Sequence, residues 1–577
     1  MESEKRIVVL KFGSSVLQSE SDLPTAVHEI YRWWRQGFHV VAVVSAFGNT
    51  TDELFRHAHS VCDQPNDELL AVLLATGEAT SSALMGLALN RSGIPATVLD
   101  AEQTSLFTDG PTLDSDLTSI NVAAVDEALR DGVVVLPGFV GKDRSRKTTL
   151  LGRGGSDLTA LFLAQRLVGA CRLIKDVDGL YTSDPNNGHG APAARFRRVS
   201  YATAARVGGA VVQLKALEFA ERHRLRFIVS CAGSDRATEV GPYTDSRTLS
   251  ETRFRPLRVA LLGCGTVGGG VYQRLAALPE MFEVAGVGTR NVEHAIAAGV
   301  PARLITTRLH ALIAEPVDVV IELLGGEEPV RTLVLQALRL GRNVVTANKA
   351  LLANHLGALQ SLAGNNGVTL KYSAAVGGAL PAFETISRAR NTTPLQSISG
   401  VLNGTTNFIL DQLANGFEFN DAVFTAQQNG YAERDPQLDL DGTDVAQKLI
   451  LLARAAFNVD LPFNSIERRG IENLKQAEIH AAKNNGRITR LIAECRREPH
   501  GFTATVSPVE LPFDHPLAHV NGVENRLMVQ SETGKTWNVS GRGAGRWPTT
   551  EAVLADLYDL QRESIANAEE EEQECVA

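Results

Sequence analysis

Cysteine is scarce in this 577-residue chain: six residues, at 62, 171, 231, 264, 495 and 575, with no C-x-x-C pair. That scarcity excludes a disulfide framework and a thiolate zinc site, and it predicts reduced thiols in a cytoplasmic protein. Basic runs are absent and the formal net charge is −10, which excludes a nucleic-acid surface built on counterion release. No uninterrupted apolar stretch reaches bilayer length, so no membrane partner is expected. The opening Met1-Glu2-Ser3-Glu4-Lys5-Arg6 is charged and leads straight into a strand, unlike a signal peptide. Hydrophobic residues make up 44%, as in an ordinary globular protein. Such a length calls for about three or four structural units.

What is present centres on Leu257 to Gly268. There an apolar β-branched run ends in Gly263-Cys264-Gly265-Thr266-Val267-Gly268 and passes into a helical pattern through Val271, Leu275 and Leu278. Strand, tight turn and helix in that order form a dinucleotide site. Gly263, Gly265 and Gly268 let the backbone approach a pyrophosphate, and the helix opening at Thr266 and Val267 supplies N–H donors. A second strand, 282 to 287, ends in Gly288-Thr289-Arg290-Asn291, with no acid placed to hold a ribose. Arg290 facing a 2′-phosphate favours NADP over NAD; the alternative is a solvated loop cation.

The first half alternates strands and helices, which predicts an open, mostly parallel sheet with ligands at the carboxyl ends of its strands. Polar turns fall at those ends. Lys11-Phe12-Gly13-Ser14-Ser15 follows Ile7 to Leu10, and Ala46 to Thr51 follows Val40 to Ser45. Thr76-Gly77-Glu78 opens a small-residue helix. Gly152-Arg153-Gly154-Gly155-Ser156-Asp157 follows a strand expected over 133 to 140. Asp176-Val177-Asp178-Gly179 follows the strand 171 to 174. Each alone reads as an ordinary turn, whereas the ordered set suits phosphate plus a charged substrate.

Over about the first 230 residues these motifs resemble aspartokinase, in the amino-acid kinase family. The resemblance implies phosphoryl transfer from Mg-ATP to the side-chain carboxylate of aspartate. It gives Lys11 the transferring phosphoryl group, Asp157 the orientation of Lys11, and Thr51, Glu78 and Arg153 the aspartate. Asp176, Asp178, Tyr181 and Asp184 would flank the nucleotide. The family's G-A-K-V appears here as Gly208-Gly209-Ala210-Val211, so a lysine that meets ATP phosphates is missing; Lys175, in the T-D-V-D-G position, and Lys215 are the candidates to replace it. The family's paired regulatory ACT domains have no room in the polar stretch Gly233 to Arg255. Threonine or lysine feedback through such domains is therefore not expected.

In the second half, Val345-Thr346-Ala347-Asn348-Lys349 ends a strand, and Asn403-Gly404-Thr405-Thr406-Asn407 starts a helix. Gly430-Tyr431-Ala432-Glu433 opens a loop rich in carboxylates, including Asp439. That loop runs into a helix on which Asp444 and Lys448, four apart, share a face. A surface ion pair is the bland reading; acids beside a lysine also suit an ammonium-bearing substrate and proton transfer. From about Leu257 to Leu560 the chain resembles homoserine dehydrogenase. The resemblance implies NAD(P)H reduction of aspartate semialdehyde to homoserine, with Lys448 as proton donor, Asp439 and Asp444 setting its position, and Glu433 holding the substrate ammonium. Lys349, Gly430 and Gly543 would meet the cofactor. Backbone oxygens of Val376, Gly378 and Leu380 would hold Na+ or K+, although Ser373 stands where the family often has Glu.

Together the resemblances imply a bifunctional aspartokinase–homoserine dehydrogenase of shortened form, acting on small molecules as a homodimer or higher homo-oligomer. The alternative is a dehydrogenase whose kinase-like domain only binds a ligand or packs. The expected class is α/β. A kinase-type open sheet over 1–233 and a linker over 234–255 precede a Rossmann domain over 256–375. An α+β catalytic and dimerisation domain over 376–540, a return segment over 541–562 and an acidic, disordered tail over 563–577 follow.

Overall fold

The computed structural model describes residues 6–183, 193–209, 211–248 and 255–576, with side chains up to 565. The chain divides into two compact units, 1–252 and 253–577.

The first unit is built on a nine-stranded sheet with Ile7–Phe12 in its middle. That strand pairs in parallel with His39–Val44 on one side and Ala170–Lys175 on the other. All six of its residues are buried, as a β-branched strand covered on both faces by helices requires. Lys11 lies beside Val43 and Leu173, so its ammonium emerges at the carboxyl ends of three parallel strands. The run 133 to 140 is not one strand: Val133–Pro137 stays in the main sheet. The chain then turns through Phe139, at φ +67°, and Val140–Lys142 joins a separate four-stranded sheet. Asp184 and Ala210 lie outside the described residues.

The stretch expected as a linker, 234–255, is in part folded. Ala237–Val240 pairs with Phe227–Cys231 and Phe196–Val199, and Ser246–Arg247 forms the sheet's edge. These strands are too short and polar to carry a period-2 signal; the neighbouring strands specify them. Asp67–Arg91 is the one described helix long and apolar enough, by composition, to cross a bilayer. It buries Leu70, Leu74, Met85 and Leu89, and the buried face also carries the carboxyl of Glu78.

The second unit begins with a six-stranded parallel sheet, ordered 305–306, 282–288, 257–262, 319–322, 343–346, 370–371. Leu257–Leu262 and Val319–Glu322 are adjacent, and the glycine turn leaves the sheet between them. A second six-stranded sheet, mostly antiparallel, is formed mainly by Leu395–Val401 and the long hairpin Arg487–Glu498 with Gly501–Pro512, followed by Glu524–Ser531 and Thr536–Arg542. The chain then returns to the nucleotide domain. Helix Arg546–Val576 packs on Thr266–Ala276, with Arg546 donating to Gln273 at 2.9 Å and Tyr558 edge-on to Phe282. That helix continues through the acidic tail, which the sequence had suggested would be disordered. An acid-rich run is compatible with helix once a packed segment has already met the nucleation cost.

Candidate active sites

In the second unit the strand ends and the helix Thr443–Phe457 meet at a charge cluster. Asp444 and Lys448 lie one turn apart on that helix, 2.9 Å between Oδ2 and Nζ. Both side chains are less than a tenth exposed, so the surface-pair reading does not apply. Lys349, at the start of the helix following Asn343–Thr346, brings its Nζ to 3.1 Å from the other oxygen of Asp444. Lys448 also donates to the Leu402 carbonyl at 2.7 Å. Asn403, the cap of helix Gly404–Ala414, donates from one amide nitrogen to Asp439 at 2.7 Å and to Asp444 at 2.8 Å. No site role follows for Asn403 from the sequence, although it sits in the N-G-T-T-N motif.

The electrostatics follow from this packing. Burial pushes the Asp444 carboxyl up, but the ammoniums of Lys448 and Lys349 outweigh it and hold it below the ordinary carboxylate range. Asp439 moves the other way, raised by burial and then by the Asp444 charge. Lys349 is held above the usual lysine range, first by Asp444 and further by Asp439 and Glu433. Glu433 itself is exposed and acts on Lys349 through its charge. Thr405 pins its loop by donating to the Tyr431 carbonyl at 2.6 Å.

The glycine turn joins the same site through a short chain of contacts. Gly263, at φ +100°, packs so tightly that a Cβ would stand 2.6 Å from the Leu323 carbonyl oxygen. Beside it the buried Glu322 carboxylate accepts from the Leu324 and Gly325 amides and the Thr346 hydroxyl, and burial raises its pKa. The Asn348 backbone amide donates to the Thr346 hydroxyl oxygen at 3.0 Å, and Lys349 follows. Gly265 caps helix Thr266–Ala276 with open space where a Cβ would be. An uncovered helix start with amides pointing out fits a pyrophosphate. Arg290 is exposed just beyond the strand Phe282–Gly288. Gly543 abuts the Asn525 side chain, which donates to the Leu402 carbonyl that Lys448 also uses. Gly430 stands in open space after helix Phe419–Gln428. In the turn containing Val376, Gly378 and Leu380, the Leu380 carbonyl accepts from Ala382, and Ser373 is held by Asp556 at 2.7 Å.

The first unit holds a second cluster. Asp157, in the first turn of helix Gly155–Arg166, receives Lys11 at 2.7 Å and Lys175 at 2.9 Å. Gly154, at φ +81°, caps that helix, and Arg153 beside it is exposed. Lys215 is used elsewhere: it donates to Asp114 at 2.7 Å and to the Ser115 and Leu151 carbonyls at 3.0 Å. Asp178 accepts from the Tyr181 hydroxyl at 2.7 Å, while Asp176 is exposed. Thr51 lies half-buried in the first turn of helix Thr50–Val61.

Glu78 is buried; one oxygen accepts from the Ala46 amide at 3.3 Å and the other has no hydrogen-bond partner among the described residues. Burial pushes its pKa up to about 7 from 4.5. A buried acid with an orphan oxygen is suited to an incoming ammonium group. Because the native value is raised, its contribution to stability is complete below pH 4.5 and is lost as the pH rises through about 7. The cost at alkaline pH is roughly 3 kcal/mol. Glu78→Gln is therefore expected to raise the melting temperature of this unit in mild alkali and to leave it unchanged in mild acid. Melting curves at both pH values check this.

A parallel sheet with a glycine-turn nucleotide cradle beside a lysine–aspartate cluster defines a nicotinamide-dependent oxidoreductase, here following a unit of the amino-acid kinase type. Residues 263–373 match the homoserine dehydrogenase NAD-binding family, residues 381–558 the homoserine dehydrogenase family, and residues 6–230 the amino acid kinase family. Homoserine dehydrogenase of Synechocystis sp. is 35% identical over 316 residues, covering 53% of this chain and 73% of that protein. Its counterpart from Pseudomonas aeruginosa is 37% identical over 326 residues, covering 55% and 75%. A homoserine dehydrogenase structure from Thiobacillus denitrificans superposes with a TM-score of 0.51 at 34% identity, covering 54% of this chain and 74% of that one. The chain belongs to the homoserine dehydrogenase family and carries an amino-acid kinase domain ahead of it.

Proposed function

We propose that the second unit reduces L-aspartate 4-semialdehyde to L-homoserine with NADPH, and that the first phosphorylates L-aspartate from Mg-ATP. The observation that carries the first assignment is the convergence of Lys349 and Lys448 on one buried carboxylate, Asp444, linked by contacts to the glycine turn. When bound, the nicotinamide supplies the hydride that reaches the aldehyde carbon. Lys448 has two of its three donors on Asp444 and Leu402. The third is left to give a proton to the oxygen as negative charge develops there. Lys349 adds a second positive charge beside that oxygen. Glu433 and the pKa-raised Asp439 face the substrate's ammonium. The Val376–Leu380 turn offers backbone oxygens, which suit Na+ or K+. A homodimer acting in the cytoplasm is the assembly this reading takes.

NADPH oxidation dependent on aspartate semialdehyde tests the dehydrogenase; its absence from purified protein removes the assignment. Hydroxylamine trapping of aspartyl phosphate made from aspartate and ATP tests the kinase, and separates it from a domain that only binds a ligand. Arg290→Ala is expected to raise the KM for NADPH about tenfold and to leave that for NADH unchanged, since only the former carries a phosphate for the guanidinium. Parallel kinetics with both cofactors check the preference.

A further inference from the structure

In the first unit two buried ammonium groups share one buried carboxylate. Lys11 and Lys175 close two neighbouring parallel strands, Ile7–Phe12 and Ala170–Lys175. Lys11 Nζ lies 2.7 Å from Asp157 Oδ1, and Lys175 Nζ lies 3.1 and 2.9 Å from the two Asp157 oxygens. All three side chains are less than a tenth exposed. One negative charge cannot balance two positive ones, and each ammonium has three donors, so donors remain for another anion. The other titratable groups facing the pair are Glu78, whose carboxyl burial keeps partly protonated, the exposed Asp176, and the Cys171 thiol, which burial keeps neutral. Asp176 is exposed and screened by solvent, so the buried trio of Lys11, Lys175 and Asp157 itself carries one net positive charge. Gly13 leaves room beside it, since a Cβ there would stand 2.9 Å from Lys11 Nζ. The helix Gly155–Arg166 also starts at this point, behind the Gly152–Gly154 turn.

We propose that Lys175 is a second phosphoryl-holding cation, which with Lys11 grips the γ-phosphoryl group of ATP while Asp157 fixes both ammoniums. The inference rests on the kinase reading for its acceptor substrate. In the step it serves, an oxygen of the aspartate side-chain carboxylate bonds to the γ-phosphorus. The bond from that phosphorus to the β,γ-bridging oxygen breaks, its electron pair leaves on ADP, and no proton moves. Charge spreads over the three non-bridging oxygens, and two ammoniums on one side neutralise it where one would not. Lys215 does not fill this role because Asp114 and two carbonyls occupy it. The charge state of Lys175 gives the position a signature. Burial, then repulsion from Lys11, brings its pKa down to about 8. Its ammonium predominates in neutral solution and is largely lost in mild alkali, unless a phosphate holds it.

The test uses the full chain, with an unchanged unfolding transition of the first unit, the one NADPH does not shift, confirming that each variant is folded. Binding of Mg-ATP and aspartate-dependent hydroxamate formation are measured for wild type, Lys175→Met and Lys175→Arg at about pH 7 and about pH 9. Lys175→Met is expected to lower kcat about a hundredfold and to weaken nucleotide binding about tenfold at the lower pH. Lys175→Arg should retain binding and remove the loss of affinity that wild type suffers at the higher pH, because guanidinium stays charged. A residue that only braces Asp157 would not give that flat profile. Nucleotide affinity in Lys175→Met equal to wild type overturns the proposal, as does a wild type that binds no nucleotide. A wild type that binds Mg-ATP but forms no hydroxamate removes the kinase reading instead, and the binding comparison still decides Lys175.

Discussion

Lys448→Ala is expected to lower the dehydrogenase kcat by about a thousandfold, the scale of a positioned general acid, while the Kd for NADPH stays unchanged. The separation follows from where Lys448 sits. Its ammonium is held by Asp444 at 2.9 Å and the Leu402 carbonyl at 2.7 Å, both in the substrate domain and neither in the glycine turn. Removing it leaves the cradle formed by Gly263, Gly265 and the start of helix Thr266–Ala276 intact. Turnover with saturating NADPH, alongside fluorescence titration of NADPH, measures the two effects separately. A collapse of cofactor affinity with little change in kcat would show that Lys448 acts on the nucleotide and not on the carbonyl oxygen. Lys448→Arg is expected not to restore the rate, because a planar guanidinium cannot meet Asp444 and the carbonyl with the geometry of an ammonium and still yield a proton.

The local parts of both sites were legible because each is a short chemical word. The apolar run into Gly263-Cys264-Gly265 reads as strand and turn from residue type and spacing alone, and Asp444 and Lys448 share a face by helix period. What could not be read is set by contacts between distant positions. Asn403 joins Asp439 and Asp444 across 36 and 41 residues, and nothing local announces that its amide points inward. Glu322 looks like the end of an ordinary strand until Thr346 and two turn amides close on it. Lys175 was visible as a departure in sequence, yet only the pairing of its strand with Ile7–Phe12 puts it on Asp157 beside Lys11. The strands within 234–255 were missed for the same reason: two to four polar residues acquire strand geometry from an edge that already exists.

Asp444→Asn is expected to destabilise the second unit by about 3–5 kcal/mol at neutral pH, the cost of leaving buried charge without its partner. Here the one carboxylate serves two cations, Lys448 at 2.9 Å and Lys349 at 3.1 Å, with Asn403 donating as well. The amide keeps the shape and removes the charge, so the loss is electrostatic and not a cavity. Burial alone would raise the Asp444 pKa, but Lys448 and Lys349 hold it below its ordinary value of 3.8. A depressed carboxyl stabilises the fold fully above that value, and its contribution is lost as the pH falls through the native one. The difference between wild type and Asp444→Asn should therefore be largest at neutral pH and shrink in acid. Because the chain has two compact units, one melting temperature does not describe it. The transition that NADPH moves identifies the second unit, since only a state that binds the cofactor is shifted by it. Urea unfolding of that transition at neutral and acid pH measures the effect. A difference that is small at neutral pH, or that grows in acid, would mean that Lys349 and Lys448 find their counter-charge elsewhere and that Asp444 is not the anchor of the site.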